Sequence, residues 1–280
     1  MNPYDEVDTI FDTMSAIPQP VPIAPLACAD LDIAVADRTL VQRLTMSLPK
    51  GSITSVLGCN GAGKTLTLHT LAGLRAPIAG TIYVAGRDLA SWHRKEFARE
   101  LGLLPQTTED PFPSTVLEAV LVGRHPHIGF WQWESDRDKE IARAALASVG
   151  LGDLEDRELT TLSGGERRRV AIATLLAQDP NILILDEPLN HLDPHHQLAV
   201  LKLLRERAAQ GRTILLSMHD VGLAARFADR ALLLFGNGEW QDGATAEVLN
   251  EASISRLYGT PTREVRWPGG RTFIALEDER

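Results

Sequence analysis

An eight-residue string with three glycines before a lysine and a hydroxyl residue has the composition of a phosphate-binding loop. The glycines let several backbone N–H groups face one point, and the helix predicted to follow directs its positive end there. Lys64 is expected to reach the terminal phosphates of a nucleotide, and the Thr65 hydroxyl to ligate Mg²⁺. A glycine-rich turn without a ligand is the alternative, which the buried strand predicted before the loop disfavours. The string consists of Gly58, Cys59, Asn60, Gly61, Ala62, Gly63, Lys64 and Thr65.

Two adjacent acids, Asp186 and Glu187, follow four apolar residues at 182–185. This run predicts a buried strand that ends at the carboxyl edge of a sheet, where ligands of open α/β folds bind. Asp186 is expected to hold Mg²⁺ through water, and Glu187 to polarise the water that attacks a γ-phosphate. Taken alone, the two acids could also be a solvated strand end without a function.

A second helix start with accessible backbone N–H groups is predicted at Leu-Ser-Gly-Gly-Glu, residues 162–166. Ser163 and Glu166 have the spacing of a capping box, and Gly164 and Gly165 leave the N–H groups open to an anion. A well-capped helix without a ligand is the plainer interpretation. Because one phosphate cradle serves one nucleotide, a second cradle makes sense if it contacts a nucleotide bound by a partner chain.

In their order along the chain, the phosphate-binding loop, the 162–166 string and Ile-Leu-Ile-Leu-Asp-Glu resemble the ABC (ATP-binding cassette) ATPase family over about residues 26–260. By this resemblance Gln106 corresponds to the Q-loop glutamine, residues 190–193 to the D-loop, and His219 to the switch histidine on the γ-phosphate. Taken alone, His219 would be interpreted as a strand-end histidine. The resemblance implies that catalysis involves Glu187, His219, Gln106 and Lys64, and that the residues around Mg²⁺ are Thr65, Gln106 and Asp186.

The resemblance also implies that two identical chains pack head to tail around ATP. Each ATP then lies between the Lys64 loop of one chain and the helix start of the other, formed by Ser163, Gly164 and Gly165. Asp193 is expected among the ATP-binding residues as well. Binding of ATP would join the dimer, and hydrolysis would release it because the bridging γ-phosphate is lost.

Three positions depart from the family pattern. Leu66 stands where Ser or Thr is usual, which removes one hydrogen bond to phosphate of about 1.5–3 kcal/mol but leaves the backbone N–H. The family often stacks adenine on an aromatic side chain at the place of Val35, so adenine is held more weakly here or from elsewhere. Cys59 stands where proline is common, and we expect an inert small side chain there rather than an oxidisable thiol.

The predicted elements place these residues on a P-loop NTPase core. Together with the resemblance they give an α/β fold, a RecA-like core with a parallel sheet, an antiparallel β subdomain and an inserted α-helical subdomain. A helix is expected at 64–71, where Gly73 can end it, and a mostly helical stretch is expected between Trp92 and Gln178. Strands are expected at residues 29–35, 45–48, 52–57, 182–185, 214–216 and 231–235.

The domain boundaries follow from composition. Residues 1–25 are acidic and then proline-rich, which predicts a flexible N-terminal tail. Residues 26–265 are predicted to form the ATPase domain, with the helical subdomain at about 107–179. Residues 266–280 are predicted to form a short C-terminal extension.

The composition excludes several classes of protein. The 280 residues are 44% hydrophobic, which supports a sizeable core, and the formal net charge of -9 disfavours a nucleic-acid partner. The two cysteines have no disulfide or metal-ligand spacing. Neither a signal peptide nor an apolar run of about 18 residues is visible in the sequence. We therefore expect a cytosolic chain that another protein holds at the membrane.

The remaining features favour the subunit of an importer. ABC ATPases that work in DNA maintenance or translation carry long coiled-coil inserts or two cassettes. The single cassette without such an insert disfavours both of these roles. Residues 116–131, which contain Gly-Arg-x-Pro and aromatic residues, and residues 228–259 resemble importers of iron-siderophores, haem and cobalamin. An exporter or lipid-extraction ATPase and a soluble ABC ATPase without a transport role are the alternatives.

An importer subunit implies integral membrane permease subunits as partners and, indirectly, a periplasmic substrate-binding protein. We expect the permease contact near Gln106 and at residues 116–133, and a peripheral location on the cytoplasmic face of the inner membrane. Local packing is an equally open interpretation of the aromatic residues Phe130, Trp131 and Trp133. Several histidines lack acidic or cysteine partners at metal-ligand spacing and are interpreted as surface or interface residues: His125, His127, His191, His195 and His196.

Overall fold

The computed structural model describes residues 24–107, 113–129 and 131–276. In chain order its strands are β1 (Leu26–Val35), β2 (Arg38–Leu48), β3 (Ile53–Leu57), β4 (Ala79–Val84), β5 (Arg87–Asp88), β6 (Leu101–Leu104), β7 (Ile182–Leu185), β8 (Thr213–Ser217), β9 (Arg230–Leu234), β10 (Trp240–Ala244), β11 (Thr262–Trp267) and β12 (Gly270–Ala275). Its α-helices are α1 (Lys64–Leu71), α2 (Arg94–Glu100), α3 (Val116–Leu121), α4 (Asp136–Ser148), α5 (Gly164–Gln178), α6 (Pro194–Ala209), α7 (Val221–Phe227), α8 (Thr245–Val248) and α9 (Glu251–Tyr258).

Two sheets form the layers of the molecule. The central sheet has the strand order β10-β9-β3-β8-β7-β6, and all neighbours in it are parallel except β10 and β9. The second sheet, β2-β1-β4-β5, is antiparallel. This is the predicted P-loop NTPase architecture, and the fold class is confirmed.

The central sheet is buried on both faces, and β7 illustrates why its sequence is apolar throughout. Ile182 and Ile184 pack into the apolar cluster shared with the antiparallel sheet and α1. Leu183 and Leu185 point to the other face and pack with the helices. Because neither face meets water, a strand here shows no polar alternation.

Strand β6 is a strand that was not predicted within the mostly helical stretch between Trp92 and Gln178. Helix α2 ends at Glu100, and Leu101 turns into extended backbone with φ -128° and ψ 130°. Residues 101–104 then pair in parallel with β7 and form the edge of the central sheet. A four-residue apolar run directly after a helix has no periodicity that separates a strand from another helical turn, so the sequence could not reveal β6.

Helices α3, α4 and α5 lie between β6 and β7 in the chain and pack on one another. The Gly-Arg-x-Pro string belongs to a 3₁₀ turn after α3. A β-carbon on Gly123 would lie 2.2 Å from the carbonyl oxygen of Thr174, so the turn approaches α5 only because this residue is glycine. Arg124 is buried and donates to Asp138 at 2.9 Å and to the carbonyl of Ala177 at 2.7 Å. The string therefore holds these three helices together.

The two chain ends differ in what can be described. Most of the predicted N-terminal tail, residues 1–23, lies outside the described residues. Near the other end, β11 and β12 form an antiparallel hairpin, so the predicted boundary at 265/266 falls inside β11. Arg271 in this hairpin donates to the carbonyls of Thr245 at 2.7 Å and Leu249 at 3.1 Å, which fixes the hairpin beside α8.

Candidate active site

The carboxyl ends of four neighbouring parallel strands bring the predicted site residues to one edge of the central sheet. The phosphate-binding loop follows β3, Gln106 follows β6, the two acids follow β7, and His219 follows β8. These segments enclose an open cavity of about 420 Å³. Its lining includes Leu40, Asn60, Gly61, Gly63, Lys64, Thr65, Leu66, Gln106, Glu187 and His219. A sheet edge of this kind is where α/β proteins bind their ligands.

The phosphate-binding loop curls back on itself before α1 begins. Gly61 and Gly63 have φ values of 77° and 102°, a left-handed conformation that glycine adopts without steric cost. No side chain caps the start of α1 at Gly63. The backbone N–H groups of the first turn of α1 therefore stay available to an anion in the cavity.

Lys64 rests on its own loop. Its side chain is only 5% exposed, and Nζ donates to the carbonyls of Gly58 at 2.8 Å and Cys59 at 3.3 Å. Burial lowers the pKa of Lys64, and the nearby carboxylates of Glu187 and Asp186 oppose this effect. The ammonium group is thus positioned beside the cavity with weak neutral acceptors that phosphate oxygens can replace.

Asp186 is completely buried and is fixed by a residue that the sequence analysis missed. The Ser217 hydroxyl, at the end of β8, donates to Asp186 Oδ1 at 2.6 Å and accepts from the backbone N–H of Glu187 at 2.7 Å. The other oxygen, Asp186 Oδ2, has no hydrogen-bond partner among the described residues. A buried carboxylate oxygen without a partner is costly, and a bound cation or its water shell would supply the missing contact.

Three side chains from separate segments hold the carboxylate of Glu187. His219 Nε2 donates to Oε1 at 2.8 Å, Gln106 Nε2 donates to Oε2 at 3.0 Å, and the amide of Asn190 also donates to Oε2. Burial by itself raises the pKa of Glu187, but the hydrogen bond and charge of His219, the hydrogen bond from Asn190 and the charge of Lys64 together outweigh it, so the pKa is lowered. Glu187 is therefore a carboxylate at neutral pH, ready to accept a proton or orient a water.

The backbone of this segment is strained at two points. Glu187 and His191 have φ values of 49° and 64° although neither is glycine. Such conformations cost about 1–3 kcal/mol and persist where the surroundings over-determine them. At Glu187, three side chains donate to the carboxylate, and the Ser217 hydroxyl accepts a hydrogen bond from the backbone N–H. These contacts hold the residue in this conformation.

The helix start at Ser163 has the predicted capping box. The N–H of Glu166 donates to Ser163 Oγ at 3.2 Å, and the N–H of Ser163 donates to Glu166 Oε2 at 2.8 Å. A β-carbon on Gly165 would lie 2.9 Å from the carbonyl oxygen of His191, so α5 begins in close contact with residues 190–193. Ser163, Gly164, Gly165 and Asp193 are not among the described residues that line the cavity.

The structure shows the surroundings of the three residues that depart from the family pattern. Leu66 lines the cavity and packs partly into the apolar cluster under α1. Val35 is 43% exposed, and Leu40, which the sequence analysis did not single out, supplies the cavity with an apolar side chain. Cys59 is an exposed free thiol, and its Sγ lies 3.1 Å from the carbonyl oxygen of Leu257.

Two further groups of predicted surface residues lie away from the cavity. Across the described ranges, no cluster of three His, Cys, Asp or Glu side chains could hold a metal ion. The indoles of Trp131 and Trp133 are 91% and 90% exposed, so these two are not packed inside the helical region; Phe130 lies outside the described residues.

None of the helices in the described ranges combines the length and the apolar character needed to span a membrane.

Comparison with known families matches residues 41–190 of the chain to the ABC transporter family. The achromobactin transport ATP-binding protein of Dickeya dadantii is 38% identical over 248 residues, which are 88% of this chain and 92% of the relative. The hemin import ATP-binding protein of Gloeobacter violaceus is 38% identical over 250 residues, or 87% and 90% of the two chains.

A solved structure of similar fold belongs to a metal-chelate type ABC transporter in an inward-facing conformation. The two chains superpose with a TM-score of 0.79 at 30% identity, covering 91% of this chain and 98% of the other. The similarity therefore extends through both sheets and the helical region, beyond the segment around the phosphate-binding loop.

Proposed function

The chain belongs to the ABC transporter family as an ATP-binding subunit, and on this premise we propose that it hydrolyses Mg-ATP to drive uptake of an iron chelate. The observation that carries the proposal is the convergence of Lys64, Glu187, His219 and Gln106 on one cavity, with Asp186 directly beneath. An ammonium group, a carboxylate and a histidine that line the same cavity suit the transfer of a phosphoryl group to water.

The residues fit a nucleotide with its Mg²⁺. The left-handed glycines and the uncapped start of α1 form a cradle for phosphate oxygens, which Lys64 can join. Asp186 Oδ2, buried and without a partner in the described chain, suits the Mg²⁺ shell, together with Thr65 and Gln106. Bound Mg²⁺ supplies charge neutralisation on the phosphates. Few protein ligands are needed, because Mg²⁺ keeps several waters and shares the phosphates.

Among the described residues that line the cavity, none is Phe, Tyr or Trp, and the cavity offers apolar side chains to adenine instead. Leu40 and Leu66 line it, and the exposed Val35 lies at the end of β1. Contact with aliphatic groups buries the base without the stacking energy of about 1–3 kcal/mol that an aromatic ring provides. The phosphate contacts therefore carry most of the affinity for ATP.

The proposed partners follow from what a single chain lacks. Ser163 and Gly165 lie outside the described lining of the cavity, so we assign this helix start, with the N–H groups of Gly164 and Gly165 in its first turn, to the ATP of a second copy. Two copies would then enclose two ATP molecules. Permease subunits, contacted near Gln106 and along residues 116–133, would hold this dimer at the cytoplasmic face of the inner membrane, with a periplasmic binding protein delivering the substrate.

The class of transported substrate rests on the relatives. Those compared above transport achromobactin and import hemin, and the similar structure is of metal-chelate type. A ferric siderophore or haem is therefore the substrate class that we propose. Cobalamin, also predicted from the sequence, stays a prediction.

Glu187→Gln, with an affinity tag, tests the enzyme and its partners together. The amide keeps most contacts but cannot act as a base, so hydrolysis should fall at least about 100-fold while ATP still binds. With Mg-ATP the variant should accumulate as a dimer and retain a polytopic membrane protein from detergent extracts. Glu247→Gln, at an exposed carboxylate on α8, is the matched control and should hydrolyse ATP normally.

The outcomes separate the parts of the proposal. Normal turnover by Glu187→Gln would show that Glu187 is not the base that activates the attacking water. An ATP-bound dimer that retains only soluble proteins would leave the ATPase standing and contradict the transporter assignment. Lys64→Ala should lose ATP affinity, and unchanged affinity would contradict the placement of the phosphates on the loop.

A further inference from the structure

Arg168 is a buried cation that the sequence analysis did not assign to any role. It lies on α5, five residues after Ser163, and its side chain is only 5% exposed. In the described part of the chain no carboxylate lies within 4.0 Å of its guanidinium group, unlike the ion-paired Arg124. A charge buried without a direct counter-ion is costly, so its retention calls for a purpose beyond packing.

The guanidinium group joins three segments of the candidate active site. One terminal nitrogen donates to the carbonyl of Pro105 at 2.7 Å and to that of Gln106 at 3.3 Å. The other terminal nitrogen donates to the backbone carbonyl of Asp186. Arg168 thus links the helix that begins at Ser163 to the backbone of Gln106 and of Asp186.

The electrostatic surroundings explain how the charge is tolerated. Burial lowers the pKa of Arg168, while the carboxylates of Asp186 and Glu187 act in the opposite direction. The guanidinium group therefore lies in the field of the same two acids that the mechanism uses. Any shift of α5 along its axis changes the position of this charge relative to Glu187 and pulls on the backbone of Gln106.

We propose that Arg168 is a positioning residue that sets Gln106, and through the hydrogen bond of Gln106 also Glu187, in register with the helix start at Ser163, so that hydrolysis depends on how α5 is held. This inference rests on the proposed ATPase function. Its physical basis is the rigid fork of the guanidinium group, which donates in two directions at once, whereas a lysine ammonium is a point donor. Arg168 is not among the described residues that line the cavity, and it is not itself catalytic.

Arg168→Lys in the full chain keeps the charge and removes the fork. We expect kcat to fall about 10-fold, while the Kd for ATP, measured in the Glu187→Gln background, stays within about 2-fold. The matched control is Arg169→Lys on the same helix, since within the described chain Arg169 donates to the carbonyls of Val149 at 3.0 Å and Gly150 at 3.4 Å and to none at the cavity. The control should keep kcat even where both variants lower the unfolding temperature equally.

A double-mutant cycle with Gln106→Ala separates positioning from general damage. If Arg168 acts through Gln106, adding Arg168→Lys to Gln106→Ala lowers kcat by less than about 2-fold further. Multiplying effects, or a wild-type kcat in Arg168→Lys, would overturn the inference. Should Arg168→Lys unfold at the assay temperature, Arg168→Gln, whose amide reaches only one side, replaces it under the same criteria. An inactive wild-type chain would instead refute the proposed function itself.

Discussion

The carboxylate of Glu187 already accepts hydrogen bonds from protein side chains, so a water must compete with these donors. His219 and Gln106 each donate to one of its oxygens, and the hydrogen bond from His219 is the strongest influence that lowers its pKa. In the proposed mechanism His219 would turn toward a phosphate, and the loss of its hydrogen bond would raise the pKa of Glu187, because burial would act with less opposition. A carboxylate with a higher pKa is a better proton acceptor, so the proposed movement would also prepare the base.

Ser217 makes a testable contribution at the level of one hydroxyl. Ser217→Ala leaves Asp186 Oδ1 without its donor and the N–H of Glu187 without its acceptor, both in a buried site. We expect the free energy of unfolding to fall by about 1–3 kcal/mol. The Mg²⁺ concentration for half-maximal ATP hydrolysis should rise about 10-fold, because Asp186 is no longer oriented.

Ser55→Ala is the control for this change. Ser55 is equally buried on β3, and its hydroxyl meets only the carbonyl of Arg230 at 3.4 Å. It should affect stability but leave the Mg²⁺ dependence as in the wild type. A wild-type Mg²⁺ curve for Ser217→Ala would show that Ser217 does not orient Asp186.

Among the elements, α4 is fixed by an ion pair whose strength depends on pH. The hydrogen bond from Ser135 is the largest influence on Asp138 and, with Arg124, lowers its pKa from 3.8 to about 2. A lowered pKa in the folded state means that the stabilisation is complete above about pH 4 and is lost as the pH falls toward 2. Acidification should therefore loosen the packing of α4 against the turn after α3.

Asp138→Asn should lower the free energy of unfolding by about 2 kcal/mol at pH 7, because Arg124 is left buried with a weaker partner. Denaturant unfolding at pH 3 should show this deficit reduced by about half, since the carboxylate is then largely protonated in the unfolded wild-type chain but still ionised in the folded one. Asp136→Asn is the control, because that side chain is 100% exposed and 3.9 Å from Lys139. A deficit that does not change with pH would contradict the role of the charge.

The helices and strands also show which parts of the fold sequence patterns predict and which parts they do not. Strand β7 and helix α1 occupy the predicted residues 182–185 and 64–71, because apolar runs and glycine punctuation are local signals. Strand β6 was not predicted, since its four residues acquire strand geometry only by pairing with β7. Ser217 and Arg168 were missed for a similar reason: their roles arise from partners that lie between 18 and 63 residues away in the chain.

At the scale of the whole molecule, the proposed dimer requires each chain to contain two halves of different ATP sites. The loop at Lys64 lines the cavity, whereas Ser163 stands apart on α5, and the start of α5 contacts the segment before α6. Head-to-tail pairing of two copies is the arrangement that we propose to complete both sites. This proposed symmetry has a consequence that mixed dimers can test.

Mixed dimers of differently tagged chains carry Lys64→Ala and Ser163→Ala either on separate chains or on one chain. If sites form between chains, the separate arrangement places both defects in one site, and single-turnover assays should find one ATP hydrolysed per dimer. The same-chain arrangement damages both sites and should hydrolyse almost none. Sites built within single chains would give the reverse result.

The two thiols of the chain differ in a way that is useful at the bench. Cys28 is buried, and burial raises its pKa to about 12, so it stays protonated and shielded from reagents. Cys59 is exposed on the phosphate-binding loop. A maleimide fluorophore should therefore attach at one position of the unaltered chain, within a few residues of Lys64. Such a dye would report nucleotide binding and release in real time, and saturating ATP should shield the thiol from labelling.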